Sequence, residues 1–403
     1  MNPGTCRLRA LGIVTALGDS GQETWSRLLR GERSHLRKRT DLVPGREVYV
    51  GQVPDSCLEE IPVELKAIAS RNAQLILAAL KQFQEELSQL KRAIGSDRIG
   101  VVLGSSTSGI AAGEGAHRAL HDTGQFPEWY DYTQQELGTA ARAVADLAGV
   151  HGPAFTVSTA CSSSAKVFGD ARALLALELC DAVIVGGADS LCQLTVQGFS
   201  SLELVASAYA NPMSKNRMGL NIGEGAALFL MTRELGGVQL LGVGESCDAY
   251  HMSAPEPSGR GALEAMSCAL QDAGCKPSDI DYINLHGTGT IHNDSAESLA
   301  IAELFCSVDI PCSSSKPLIG HTLGAAGAVE AAVCFLCLSQ EGEKLYLPPH
   351  LWDEVADDTL PPIRLVKPGE SLVGQKMLRI MSNSFAFGGN NCSLIFGTER
   401  AQG

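Results

Sequence analysis

The segment Thr159–Ser164, T-A-C-S-S-S, places one cysteine, Cys161, between a short apolar run, Phe155–Val157, and a stretch that reads as a helix over Ser162–Leu179. That helix is apolar nearly all round, so it is expected to be buried. A sulfur at its start faces unpaired backbone N–H groups and the positive end of the helix dipole, which favour thiolate and lower its pKa. A strand-turn-helix elbow also presents the side chain sharply, as nucleophile elbows do. The chemistry on offer is nucleophilic attack; the plainer alternative is a buried structural thiol, like most of the other cysteines among the 13.

Three further segments bear on that sulfur. Leu285–Thr290, L-H-G-T-G-T, puts His286 at the end of an apolar run, Tyr282–Leu285, with hydroxyls at Thr288 and Thr290 and with Asn293 and Asp294 just after. Ligands bind at such strand ends in α/β sheets. Ser313–Ala328, S-S-S-K-P-L-I-G-H-T-L-G-A-A-G-A, places His321 before an alanine-rich helix, where imidazolium is disfavoured and a neutral ring is expected. Its small residues Gly324, Ala325, Gly327 and Ala328 permit close packing, and Lys316 and Glu330 are spaced to pair inside. Asn383–Asn391, N-S-F-A-F-G-G-N-N, forms an aromatic-glycine turn at Phe387–Gly389 whose backbone N–H groups suit an oxyanion. Taken singly, each segment also reads blandly: a loop histidine, a helix-packing motif, an ordinary turn.

Several elements must hold these residues. Ile99–Leu103, Phe155–Val157, Ala182–Val185 and Tyr282–Leu285 read as buried strands. Asn72–Leu90, Ser162–Leu179, Leu263–Ala273 and Thr322–Ser339 read as helices between them. That alternation predicts α/β layers. A seam near Arg233–Gly237 divides the chain into 1–235, carrying Cys161, and 236–403, carrying both histidines.

Composition narrows the class. The 403 residues are 45% hydrophobic and 19% charged, enough for a large core, and the net charge of -14 argues against a nucleic-acid footprint. No uncharged apolar run reaches the roughly 20 residues that span a bilayer. No export signal is legible at the start, so the odd, scattered cysteines predict reduced thiols and a cytoplasmic protein. Cys334 and Cys337 have C-x-x-C spacing but sit in an apolar helical run and read as core. No His/Cys cluster has metal-ligand spacing. Arg27–Arg39 holds six basic residues against Glu32; it reads as a solvated loop or, with Lys66 and Arg71, as a patch for an acidic partner.

Four motifs in this order resemble the elongating β-ketoacyl-[acyl-carrier-protein] synthases of the thiolase superfamily. The resemblance extends from Leu11–Gly18, L-G-I-V-T-A-L-G, through Asn211–Ala226, N-P-M-S-K-N-R-M-G-L-N-I-G-E-G-A, to the aromatic-glycine turn. It implies a thiolase-like five-layer αβαβα fold with two pseudo-symmetric halves, in a homodimer or a pair with a ketosynthase-like paralogue. It further implies Cys161 as nucleophile, His286 and His321 as the catalytic pair, and Lys316 and Glu330 as their polar support. Asp294 matches a further buried acid. Phe387 matches the gating aromatic whose N–H joins that of Cys161 in an oxyanion hole. Thr288 and Thr290 match residues that bind the 4'-phosphopantetheine arm, which the partner acyl carrier protein carries; no metal or redox cofactor is implied.

The implied reaction is decarboxylative Claisen condensation of an acyl group on Cys161 with malonyl-carrier protein, giving 3-oxoacyl-carrier protein and CO2. Each histidine is then expected to serve decarboxylation more than acyl loading. Ser214 and Met218 stand where fatty-acid relatives often carry acids, Asn390 replaces a frequent Thr, and Gly104–Ile110 departs from the usual glycine-rich loop. These features look more like ketosynthases of type II polyketide or aryl polyene pathways than of fatty acid synthesis. Rival readings are a non-catalytic chain-length-factor partner, a non-decarboxylating thiolase using Cys392, a priming synthase and a Cys hydrolase. Chain-length partners typically lack the nucleophile, and priming enzymes carry Asn where His321 stands.

Overall fold

The computed structural model describes residues 6–234, 236–374 and 377–399. The first half runs β1 (Cys6–Val14), α1 (Arg71–Lys81), β2 (Ile99–Gly104), α2 (Thr139–Ala148), β3 (Ala154–Val157), α3 (Ser163–Ala176), β4 (Ala182–Asp189) and β5 (Gly225–Thr232). The second half repeats that order: β6 (Gln239–Cys247), α4 (Arg260–Ala273), β7 (Tyr282–Asn284), α5 (Ile291–Leu304), β8 (Pro311–Ser313), α6 (Ala326–Leu338), β9 (Met377–Phe385) and β10 (Asn390–Glu399). The strands lie in the order β3-β2-β4-β5-β1 in one half and β8-β7-β9-β10-β6 in the other. In each half the first three strands pair in parallel and the remaining pairings are antiparallel. The two halves are thus pseudo-symmetric, and β1 meets β6 edge to edge, Cys6 opposite Leu240 and Arg7 opposite Gln239. Leu235, where the two predicted segments meet, lies outside the described residues.

Three apolar clusters fill the spaces between layers. α1 and α2 cover the outer face of the first half, and α4 and α5 cover that of the second. α3 and α6 lie between the halves, giving the five layers of the thiolase-like fold. Burial on both faces explains why β2 and β4 are apolar along their length rather than alternating. Phe168 of α3 shows what the middle layer does. Its ring meets Phe229 of β5 at 5.4 Å and Phe396 of β10 at 5.7 Å, one aromatic on each half. The small residues of α6 permit the close approach: a Cβ on Gly327 would stand 2.5 Å from the backbone nitrogen of Ala165.

Some elements differ from expectation. The helix predicted over Asn72–Leu90 is two helices, α1 and Gln84–Ile94. The Gln82 side chain breaks the run by bonding both backbone groups of Ile13 in β1, so a tertiary bond overrides helix propensity. The basic segment is not a loop. Arg27 and Arg30 end a helix, Gly21–Arg30, and Arg37–Arg39 open a hairpin strand, Arg37–Val43. Cys334 and Cys337 are buried on α6, as core. Among the described residues, no helix is long and apolar enough to cross a membrane.

Candidate active site

Cys161 sits in the turn between β3 and α3 and is buried. The residue before it, Ala160, takes a left-handed φ of 53°, the strained bend that lets a strand turn into a helix within a few residues. Three hydroxyls hold that bend. Ser163 and Ser106 donate to the Ala160 carbonyl, and Ser162 donates to that of Thr159. The elbow is therefore as predicted, but the resting charge of the sulfur is not. Burial pushes the Cys161 thiol up, to about 12, against lowering by the Lys316 charge and a hydrogen bond from the Phe387 backbone N–H. The sulfur rests as a thiol, and it needs a base.

That base is in place. His321 Nε2 lies 3.1 Å from Cys161 Sγ. Its ring is held well below the ordinary imidazole range, first by burial and then by the Lys316 charge, so it is neutral. Nδ1 has no hydrogen-bond partner among the described residues, so nothing fixes which nitrogen carries the proton. The helix predicted from Thr322 begins properly only at Ala326; a tight turn, Leu323–Ala325, intervenes, with Leu323 at a φ of 53°.

His286 follows the carboxyl end of β7, and its ring stands 5.4 Å from that of His321 at 85°. Lys316 Nζ lies 3.4 Å from His286 Nδ1 and also donates to the His286 carbonyl and to Glu330 Oε1. An ammonium can only donate, so Nδ1 is the acceptor and the proton of the neutral ring sits on Nε2. Burial, then Lys316, then His321 hold this ring well below its usual range. Glu330 is pushed up by burial to about 7, opposed by Lys316.

A narrow cleft opens onto Cys161, His286 and His321, with Thr288, Thr290 and Phe387 in its walls. The two threonine hydroxyls lie 2.9 Å apart. Asp294 is buried and does not reach the cleft; it accepts from the N–H groups of Met213 and Gly289, tying the Thr288–Thr290 loop to the first half. Phe387 stacks on Phe199, centroids 5.3 Å apart and planes 21° apart. Phe199 went unnoticed in the sequence because an isolated aromatic on an amphipathic helix carries no signal. Glu297 was also missed. It accepts from the N–H groups of His286 and Gly287 at 2.8 and 2.7 Å, and burial raises it to about 7. Its spacing of three from Asp294 on α5 was the available clue.

The predicted docking cations are mostly engaged. Arg71 is bound by buried Glu224 and by Asp55, Lys38 pairs with Glu47, and Arg39 with Asp41. Reversing Arg71 would strand buried Glu224 as well as alter that surface. Among the described residues no group of three or more His, Cys, Asp or Glu is placed to hold a metal ion.

A buried histidine beneath the site supplies a test by titration. His350 Nδ1 accepts from the Ser314 N–H and Nε2 lies 3.0 Å from the Pro212 carbonyl, pinning the loop that carries Lys316. Burial pushes its pKa down to about 4, with Pro212 raising and Arg33 lowering it. On acidification the unfolded chain therefore takes up this proton first, near its ordinary pKa of about 6.5. The stabilisation is full above that value and lost as pH falls towards 4. Between pH 7 and pH 5 the loss comes to about 2 kcal/mol by linkage. In His350→Asn the difference in unfolding free energy between those two pH values, from urea titrations, shrinks by that amount.

The family model for the N-terminal domain of beta-ketoacyl synthase matches residues 9–235, and that for the C-terminal domain matches residues 238–351. A solved structure of a ketosynthase (ApeO) in complex with its chain length factor (ApeC), from Xenorhabdus doucetiae, is similar with a TM-score of 0.92 and 43% identity, covering 98% of each chain. The 3-oxoacyl-[acyl-carrier-protein] synthase 2 of Staphylococcus aureus is 29% identical over 96% of this chain and 100% of its own. That of Synechocystis sp. is 28% identical over 96% of each.

Proposed function

The chain belongs to the β-ketoacyl synthase family, and we propose that it condenses an acyl group held on Cys161 with malonyl-acyl-carrier protein, releasing CO2 and 3-oxoacyl-carrier protein. One observation carries this reading: a nucleophilic sulfur and two neutral imidazoles converge at one cleft, Nε2 of His321 within 3.1 Å of Sγ.

Loading begins when the Cys161 S–H gives its proton to His321 Nε2 and the sulfur attacks the acyl thioester. Backbone N–H groups of Phe387 and Cys161 receive the oxyanion. Collapse expels the carrier's thiolate, which takes the proton from His321, a ring too basic-poor to keep it. Malonyl-carrier protein then loses CO2, and its enolate oxygen accepts from His286 Nε2–H and from His321. The carbanion attacks the acyl carbonyl, and the Cys161 thiolate that leaves takes a proton from solvent. Thr288 and Thr290, at the cleft, offer hydroxyls to the pantetheine amides. Lys316 and Glu330 support the histidines, Asp294 supports the threonine loop, and the reaction calls for no metal or redox group.

The chain-length-factor alternative is disfavoured by the intact triad. The thiolase alternative needs a second cysteine in the cleft, whereas Cys392 is buried within β10 and does not line it. Incubation with acyl- and malonyl-carrier protein tests the reading; expected are CO2 and a 3-oxoacyl product, and free acid without condensation would point to a hydrolase instead.

Greater similarity to a chain of a ketosynthase–chain length factor complex than to the two 3-oxoacyl-[acyl-carrier-protein] synthases supports a polyketide-type pathway and a paralogous partner. β3 is the outermost strand of its half, and Phe155 on it is 39% exposed. An unpaired apolar edge of this kind is a template for a second chain. Phe155→Lys should shift the particle from dimer to monomer in mass photometry, with a partner chain added or not. An unchanged mass would move the interface elsewhere.

A further inference from the structure

We propose that Asp189 is a positioning residue that sets the distance between Cys161 and His321. This rests on Cys161 and His321 acting as proposed above. Asp189 ends β4 and is fully buried, yet nothing in the reaction uses it. Its carboxylate accepts from two directions. From the first half it takes the Ser105 hydroxyl at 2.7 Å, the Ser106 N–H at 2.9 Å, and the Thr107 N–H and hydroxyl at 2.8 Å each. From the second half it takes the Ala325 N–H at 3.1 Å, in the turn that follows His321.

Each direction leads to one reacting side chain. Ser106, held by Asp189, donates its hydroxyl to the carbonyl of Ala160, the strained residue next to Cys161. Ala325 closes the turn after His321, in which Leu323 is also left-handed. Asp189 therefore joins the two strained bends that present Sγ and Nε2 to each other across the seam between halves. The junction admits no extra atom: a Cβ on Gly324 would stand 2.5 Å from Ser106 Oγ and 2.8 Å from Asp189 Oδ2. A carboxylate suits the task because all five donors point inward and no acceptor faces it; an amide in its place would aim an NH2 at N–H groups.

The charge itself works against the chemistry. Asp189 raises the Cys161 pKa, since a negative charge opposes a second one nearby. Position and charge thus predict opposite signs for the same substitution, and that separates them. Asp189→Asn removes the charge but spoils the junction. If the residue positions, Cys161 loses its base and reacts more slowly with iodoacetamide at pH 7, about tenfold, read by mass spectrometry on the Cys161 peptide. Its pH profile for alkylation moves up, and kcat falls while KM for carrier substrates holds. Faster alkylation, or an unchanged rate and kcat, overturns the proposal.

Ser106→Ala guards against a variant that fails to fold. It deletes only the bond to the Ala160 carbonyl and leaves the carboxylate in place. It should slow alkylation and lower kcat several-fold in a protein with the parent's melting temperature; parent-like rates would also overturn the proposal. Alkylation needs no carrier protein, so failure here is distinct from failure of the condensation reading, which a wild-type chain that never becomes acylated would reveal.

Discussion

Cys161→Ala leaves the chain unable to hold an acyl group. Intact-protein mass spectrometry after incubation with acyl-carrier protein should show the acyl increment on the parent and none on the variant, and condensation should fall by about 10⁶-fold, the scale seen when a covalent nucleophile is deleted. The effect should be this large because, among the described residues, no other thiol lines the cleft with the histidine pair. Decarboxylation gives the control. It draws on His286 and His321, not on sulfur, so the variant should still release CO2 from malonyl-carrier protein. A retained adduct would overturn the nucleophile assignment; loss of both half-reactions would mean that the substitution had collapsed the cleft.

The same cysteine shows where reading from the sequence stops. Its place at an elbow was legible because strand, turn and helix follow one another within a few residues. Its protonation was not. A helix dipole is worth up to about 2 kcal/mol in favourable geometry. Raising a thiol from 9.0 to about 12 corresponds to about 4 kcal/mol at 1.36 per unit, so burial wins. How deep a residue lies depends on what the other half of the chain stacks upon it, and local sequence does not carry that. His286, by contrast, was placed correctly, because the end of a strand and a glycine pair are local features. The same distinction explains Asp189 and Glu297. A single acid at the end of an apolar strand or on a helix face looks solvated until the N–H groups that converge on it are seen.

The two histidines should part company when mutated. Equal behaviour was expected from their motifs, but only His321 touches the sulfur. His286→Ala should therefore spare acyl loading and reduce CO2 release by about 10²–10³, the usual scale for one lost donor to a developing oxyanion. His321→Ala should depress both steps, since it removes the base for Cys161 as well as a donor to the enolate. Glutamine separates the two duties: it keeps an N–H donor but cannot take the thiol's proton, so His321→Gln should recover part of the CO2 release and none of the loading. Radiolabelled CO2 release and the acyl mass increment, measured on the same preparations, read the two steps independently. If His286→Ala damages loading as severely as decarboxylation, the pinned Nε2–H of His286 serves the first step too, and the division of labour drawn from the 3.1 Å contact is wrong.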